Sequence, residues 1–257
     1  MGGILEKQAP FELGEADIPF FNIKPMNNWI EEAKTMEVPN KLYGELWYES
    51  EMTIEFASAG VGKTILGFQI ADDITFKLNR AVVYIDLELS AKQVEKRYSN
   101  NYENHYIFSN NFYRVEIDPD AEMPDNVKFD EFLMDQIEAT LLKVDAKILI
   151  VDNITYFRDD QERAKDALKM MKQLKALKKK HGLSILILAH TPKRDKSKPI
   201  SRNDIAGSSM IVNFADAAFG IGESSQGEDV RYIKQVKPSR YSSTVYDASN
   251  VITCKII

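Results

Sequence analysis

Three short stretches carry the residue types that phosphate chemistry needs. The first is ASAGVGKT, residues 57–64. Gly60 and Gly62 let the backbone curl with its N–H groups inward, a nest that larger residues would obstruct. Lys63 has the reach for the β- and γ-phosphates of a nucleotide such as ATP, and the Thr64 hydroxyl suits Mg²⁺. The pattern G-x-x-x-x-G-K-[ST] expects another glycine where this chain has Ala57, at the loop's entry, where its loss removes no hydrogen-bond donor. The candidate phosphate cradle is therefore Ala57, Ser58, Ala59, Gly60, Val61, Gly62, Lys63, Thr64 and Ile65. The second stretch is KILIVD, a buried-type strand ending in Asp152, a carboxylate placed to hold the Mg²⁺ shell. The third is YIDLELSAKQ, which offers Glu88 to polarise an attacking water, with Asp86 as a nearby rival.

These residues need strands and helices to position them, and the pattern supplies both. MTIEFA (52–57) reads as a strand running straight into the glycine loop. Beyond the loop, Ile65, Leu66, Phe68, Ile70 and Ile74 give TILGFQIADDITFKL the spacing of a helix. A phosphate cradle belongs at such a junction, because the free amides and positive dipole end of the helix attract phosphate oxygens. AVVYIDLE is a second strand, KILIVDN and LSILILAHT are nearly all apolar, and ADAAFGI and RYIKQVK add two more. Strands this apolar are expected where helices cover both faces of a sheet. Between them, Ala164, Ala167, Leu168, Met171, Leu174 and Leu177 repeat at three and four, giving a helix with one apolar and one basic face that stops at Gly182. The expectation is an α/β fold with a mainly parallel central sheet and helices on both faces, spanning 46–257. Residues 1–45 carry Pro10, Pro19, Pro25 and Pro39 with one short helical stretch, NNWIEEAKTM, and read as an arm or linker.

The totals narrow the function. At 257 residues and net charge −6, the chain is not a uniformly basic nucleic-acid binder. Yet 163–202 holds 13 basic residues against Asp166 and Asp195, either a solvated helix face and loop or a surface that meets a polyanion. The single cysteine, Cys254, excludes a disulfide framework, and His105, His181 and His190 lack metal-ligand spacing. No apolar run approaches the roughly 20 residues of a membrane span, so a cytoplasmic protein without a membrane partner is expected.

The order of features resembles the RecA-like P-loop ATPases, and within them the ATPase domains of DnaB-type and plasmid RepA-type hexameric replicative helicases, over roughly residues 42–257. IDLELSAKQVEKR is similar to the helicase stretch in which a strand ends in the catalytic glutamate, which maps onto Glu88 and not Asp86. DNITYF…LKALKKKHGLSILILAHT resembles the strand, basic helix and following strand that end in a polar sensor of the γ-phosphate, here His190. NDIAGSSMIVNFADAAFGI resembles the family's Gly-Ser turn and Ala-Asp strand. Between them lie Lys193, Arg194, Lys196, Lys198 and Arg202, in a loop that faces the central channel in ring helicases and would hold single-stranded DNA by charge. The family completes each site with a Lys-x-Arg finger from a neighbouring subunit. IKQVKPSR departs from it: Lys237 fits the lysine, Ser239 takes the nominal arginine position and Arg240 comes one residue late.

The resemblance implies a Mg²⁺-dependent ATPase coupled to single-stranded DNA in a homo-oligomer, a hexameric ring. Lys237 would contact nucleotide and Arg240 would act in trans. Two other readings stay open: an ATPase that loads or remodels proteins without unwinding, and a nucleotide-dependent switch with negligible turnover.

Overall fold

The computed structural model describes residues 21–153, 163–192, 194–195, 197–205 and 209–255. Lys193 and Lys196 of the basic loop lie outside the described residues, as do residues 1–20. The chain divides into two units, Met1–Val38 and Pro39–Ile257. In the first, helix α1 (Met26–Lys34) starts after Pro25, whose fixed φ suits a helix entry. Lys24 reaches Glu32 at 2.6 Å and sits over the Trp29 ring.

The second unit begins before residue 46 and includes an antiparallel hairpin of β1 (Lys41–Tyr43) and β2 (Trp47–Tyr48). Its centre is an eight-stranded sheet of order β12-β11-β10-β3-β9-β8-β4-β7. The strands are β3 (Met52–Ala57), β4 (Val82–Asp86), β7 (Phe112–Val115), β8 (Ile148–Asp152), β9 (Ser184–His190), β10 (Ala217–Glu223), β11 (Val230–Lys237) and β12 (Ile252–Lys255). The pairs from β10 across to β7 are parallel, and only β11 and β12 add antiparallel edges. A small hairpin, β5 (Ser99–Asn100) with β6 (Asn104–His105), lies outside the main sheet.

Helices cover both faces, as the apolar strands require. On one face, α4 (Phe129–Lys143), α5 (Arg163–His181) and α6 (Ser209–Phe214) pack through residues such as Ile137, Leu174 and Val212 on Ile54, Leu149 and Ile187. On the other, α2 (Lys63–Lys77) packs Leu66, Phe68, Ile70 and Ile74 against Tyr84, Ile150 and Leu188, beside the β1–β2 hairpin with its buried Trp47. Helix α3 (Ala91–Arg97) is set by a capping box: Ser90 Oγ accepts from Gln93 N, and Gln93 Oε1 accepts from Ser90 N at 2.8 Å.

The α4–α5 pairing accounts for much of the basic stretch. Lys169 meets Asp130 at 2.5 Å, and Lys180 and His181 both reach Glu138, at 2.7 and 2.6 Å. Lys178 reaches Asp216 at 2.6 Å, and that carboxylate also accepts from Met52 N at 2.8 Å, tying the end of α5 to the start of β3. Lys169, Lys178 and Lys180 are thus neutralised within the fold.

One glycine sets how closely α2 lies on the sheet. A Cβ at Gly67 would come within 2.8 Å of Leu188 Cδ2 and 2.9 Å of the Tyr84 hydroxyl. Alanine is the better helix former by about 1 kcal/mol, but overpacking of this kind costs about 1–3 kcal/mol. Gly67→Ala is expected to lower the thermal midpoint, measured by calorimetry; a rise would mean that Tyr84 and Leu188 yield freely.

Candidate functional site

The phosphate loop joins β3 to α2 as the sequence requires. Gly60 has φ +77° and Gly62 φ +111°, so both occupy the left-handed region that side chains disfavour. Ala57 is not part of that curl. It is the last residue of β3, buried and in register with His190 of β9 and Ile221 of β10, and its carbonyl accepts from Thr191 N at 2.9 Å. An alanine suffices because a strand residue needs no glycine freedom. From the far side, Arg231 of β11 donates from Nε to Val61 O at 3.2 Å and braces the loop.

Beneath the loop the strand ends converge. Lys63 opens α2, is 5% exposed, and forms an ion pair with Asp152 Oδ1 at the end of β8. Asp152 Oδ2 accepts from the Tyr84 hydroxyl at 2.8 Å, so both its oxygens are engaged. Glu88 lies just past β4, with Oε2 3.9 Å from Lys63 Nζ and 3.9 Å from His190 Nε2. Asn153 stands between these groups, its Nδ2 3.2 Å from Glu88 Oε2 and 2.9 Å from His190 Nε2. The structure therefore brings together the loop, Lys63, Asp152, Glu88 and His190.

Asp86 and Glu88 differ in their partners. Asp86 is buried; its Oδ1 accepts from Glu88 N at 3.0 Å and Leu89 N at 2.9 Å, and its Oδ2 from Arg114 Nε at 2.8 Å. It shapes the turn that presents Glu88 and has no oxygen facing a ligand. Glu88, 41% exposed at its side chain, has the access that a water-activating carboxylate needs.

Sequence reasoning missed Tyr84, Asn153, Arg231 and Glu55. In-register pairing puts Phe219, Glu55, Leu188, Asp152 and Asp86 in one row across the sheet, on the face that α2 covers. Glu55 is completely buried, and no donor among the described residues reaches either carboxyl oxygen. Burial pushes its pKa well above the usual 4.5; the Lys63 charge opposes this and the Asp152 charge adds to it. Tyr84, held by burial and by Asp152, is likewise raised well above its usual value. A charged residue two places before the loop was a visible signal for Glu55, since it interrupts an otherwise apolar strand.

Other candidates lie elsewhere. Lys237 pairs in register with Ala218, which pairs with Ile54, about 10 Å down β3 from Ala57 at the usual strand rise. Its Nζ donates to Val212 O at 3.1 Å and Ala215 O at 2.5 Å, closing the end of α6. Burial lowers its pKa, with Arg202 adding to the effect. Arg240 is exposed, and Ser239 is buried with its hydroxyl donating to Glu51 Oε1 at 2.6 Å. Neither Lys237 nor Arg240 enters this chain's own phosphate site. In the basic loop, Arg194 sits 3.2 Å from Asp204 and donates to Lys198 O, Arg202 donates to Asn213 Oδ1, and Lys198 is exposed, 3.8 Å from Asp195.

The donor set fits Mg²⁺: Thr64 and Asp152 offer hard oxygen ligands at the loop. Among the described residues no group of three or more His, Cys, Asp or Glu could hold a metal by itself, so a cation here would depend on phosphate oxygens, as Mg²⁺ usually does.

A glycine-curled loop between strand and helix, with an acid at the end of β8 one strand removed, on a mostly parallel sheet covered on both faces, defines a P-loop nucleotide-binding protein of RecA-like α/β fold. The chain belongs to the AAA_25 family (AAA domain), whose profile matches residues 22–196. Among solved structures it is similar to the KaiC-like protein PH0186 from the hyperthermophilic archaeon Pyrococcus horikoshii OT3, at TM-score 0.57 and 14% identity, covering 81% of this chain and 91% of that one. No curated protein matches the chain in sequence. Among the described residues no helix is long and apolar enough to cross a membrane.

Glu55 gives a pH-dependent prediction. Its folded pKa is raised, so the folded chain holds this proton more tightly than the unfolded chain. The stability it contributes is complete below the usual 4.5 and is lost as pH rises towards the folded value. Glu55→Gln, neutral at all pH, should match wild type in thermal midpoint at acidic pH and exceed it increasingly from weakly acidic to neutral pH. A constant gap between the two melting curves across that range would refute the assignment.

Proposed function

We propose that this protein is a Mg²⁺-dependent ATPase that couples turnover to single-stranded DNA in a homo-oligomeric ring, as the replicative-helicase resemblance implies. The observation that carries the ATPase part is the convergence of Lys63, Asp152, Glu88 and His190 on one loop. A cavity of about 410 Å³ adjoins it, lined by Tyr43, Gly62, Ile65, Gln69, Arg231 and Ile252 among others. It offers apolar walls for a base next to the phosphate nest.

The chain's own residues fall into roles. Lys63 neutralises Asp152; arrival of phosphate gives Lys63 a second anion to bind and releases Asp152 to face the cation shell. Mg²⁺, when bound, supplies positive charge to the β- and γ-phosphates. Glu88 accepts a proton from the attacking water while Asp86 holds its backbone. His190, at the end of β9, senses the third phosphate. A second copy presenting Lys237 and Arg240 would complete the site in trans, stabilising charge that develops on the transferring phosphoryl group.

The DNA coupling rests on the resemblance and the 193–202 loop. Arg194 and Arg202 are engaged within the fold, which favours a second reading: an ATPase that acts on a protein partner without unwinding DNA. A turnover-free switch is disfavoured by a water-accessible Glu88 beside Lys63.

Steady-state hydrolysis separates these readings. Glu88→Gln should lower kcat by about 10²–10⁴-fold with nucleotide still bound, and Lys63→Ala should weaken binding itself. Wild-type turnover at the Glu88→Gln rate would support the switch instead. Single-stranded DNA should stimulate wild type in a salt-sensitive way, and Lys198→Glu should blunt the effect. Turnover indifferent to DNA and to that variant would leave the protein-remodelling reading. Light scattering with a non-hydrolysable ATP analogue should show a larger assembly than the monomer, and a monomer would remove the trans roles of Lys237 and Arg240.

A further inference from the structure

Asn153 follows Asp152 at the end of β8 and is 7% exposed. Its Nδ2 donates to Glu88 Oε2 at 3.2 Å and lies 2.9 Å from His190 Nε2, while Glu88 Oε2 and His190 Nε2 are themselves 3.9 Å apart. A carboxylate accepts and does not donate, so the amide must turn its nitrogen, and not its oxygen, towards Glu88. That nitrogen carries two hydrogens. With one on Glu88, the other faces His190, and Nε2 there acts as the acceptor. A neutral imidazole has one N–H and one bare nitrogen, so an accepting Nε2 places the proton on Nδ1.

We propose that Asn153 is a positioning residue that locks His190 in the Nδ1–H form, and so links the protonation pattern of His190 to whatever Glu88 is bound to. The locking follows from the contacts alone; the link to nucleotide deepens the ATPase reading and rests on it.

The wedge has a chemical purpose. At 3.9 Å, a His190 with its proton on Nε2 would be near enough to turn towards Glu88 and occupy the carboxylate that must receive a proton from water. The amide between them presents donors to both and denies the ring that contact. Among the described residues, Lys63 Nζ, 3.9 Å from the same oxygen, also faces Glu88, and it has Asp152 as its nearer partner. When a third phosphate and its attacking water engage Glu88, Asn153 loses its acceptor and turns. His190 then exchanges its proton through solvent from Nδ1 to Nε2, with no net gain or loss. The ring is well placed to pass this on: His190 is in register with Ala57 at the loop's entry, and the next residue, Thr191, donates to Ala57 O at 2.9 Å.

The test is two-bond ¹H–¹⁵N correlation NMR of the full chain labelled at histidine, at neutral pH. The chain has only His105, His181 and His190, so His190→Gln assigns the third set of ring signals by its loss. Wild type without nucleotide should show His190 with a protonated Nδ1 and a bare Nε2. Asn153→Ala and Asn153→Asp should both move the population towards Nε2–H, the second more completely because its carboxylate accepts. Mg²⁺ with a non-hydrolysable ATP analogue should move wild type the same way, and Mg²⁺ with ADP should not. A wild-type His190 found as Nε2–H or doubly protonated, or a pattern unchanged in Asn153→Ala, overturns the proposal. An analogue that binds and leaves the pattern unmoved overturns the link to Glu88 while the ATPase reading stands. The Nδ1–H pattern in a chain that binds no nucleotide upholds the positioning by Asn153, and the ATPase reading is then what fails.

Discussion

The site depends on one buried ion pair, Lys63 with Asp152, set under the first turn of α2. Removing both charges from water costs several kcal/mol each, and their attraction offsets this only when the remaining valences are filled. Tyr84 supplies the missing donor to Asp152, and the close seating of α2 at Gly67 keeps the Tyr84 hydroxyl where it is needed. Glu55 and Asp86 sit in the same row of the sheet as Asp152 and meet the cost of burial in opposite ways. Asp86 collects two backbone amides and Arg114, whereas Glu55 collects no donor among the described residues and burial raises its pKa well above the usual value. Acids at one level of one sheet thus differ in the donors that meet them.

The sequence made the scaffold legible where burial leaves a periodic trace. β3, β8 and β9 have both faces covered, so the largely apolar β3 and the apolar runs of β8 and β9 mark them, and α2 and α5 show helical spacing. The edges were harder. β7 and β12 are only partly buried and carry a weak pattern, and the β1–β2 hairpin follows a proline-bearing arm whose composition masks it. Helix α4 was readable in retrospect, since Leu133, Met134, Ile137 and Leu141 have the required spacing behind an acidic loop.

Within the site, legibility followed locality. The loop and its lysine are encoded in consecutive residues and Asp152 ends an apolar run, so each stands out in the sequence. Asp86 against Glu88 could not be decided from spacing, because the answer lies in which carboxylate the turn's own amides consume. Tyr84, Asn153 and Arg231 act across strands 68, 37 or 65, and 170 residues away from their partners, and no local pattern announces them. The partners of the basic stretch were hidden for the same reason. Its charge is conspicuous along the chain, but Asp130, Glu138 and Asp216, which answer it, are scattered.

The placement of β10 has a consequence for what counts as the minimal folding unit. The family profile ends at residue 196, yet the strand that carries the phosphate loop lies between β9 and β10, and β10 begins at Ala217. A fragment cut at the end of the profile would expose β3, buried along its whole length, as a bare edge, a template for sticking to other chains. It would also lose Arg231 from the loop and Asp216 from the start of β3. The last quarter of the chain is therefore the half of the clamp that a domain boundary drawn from sequence similarity leaves out.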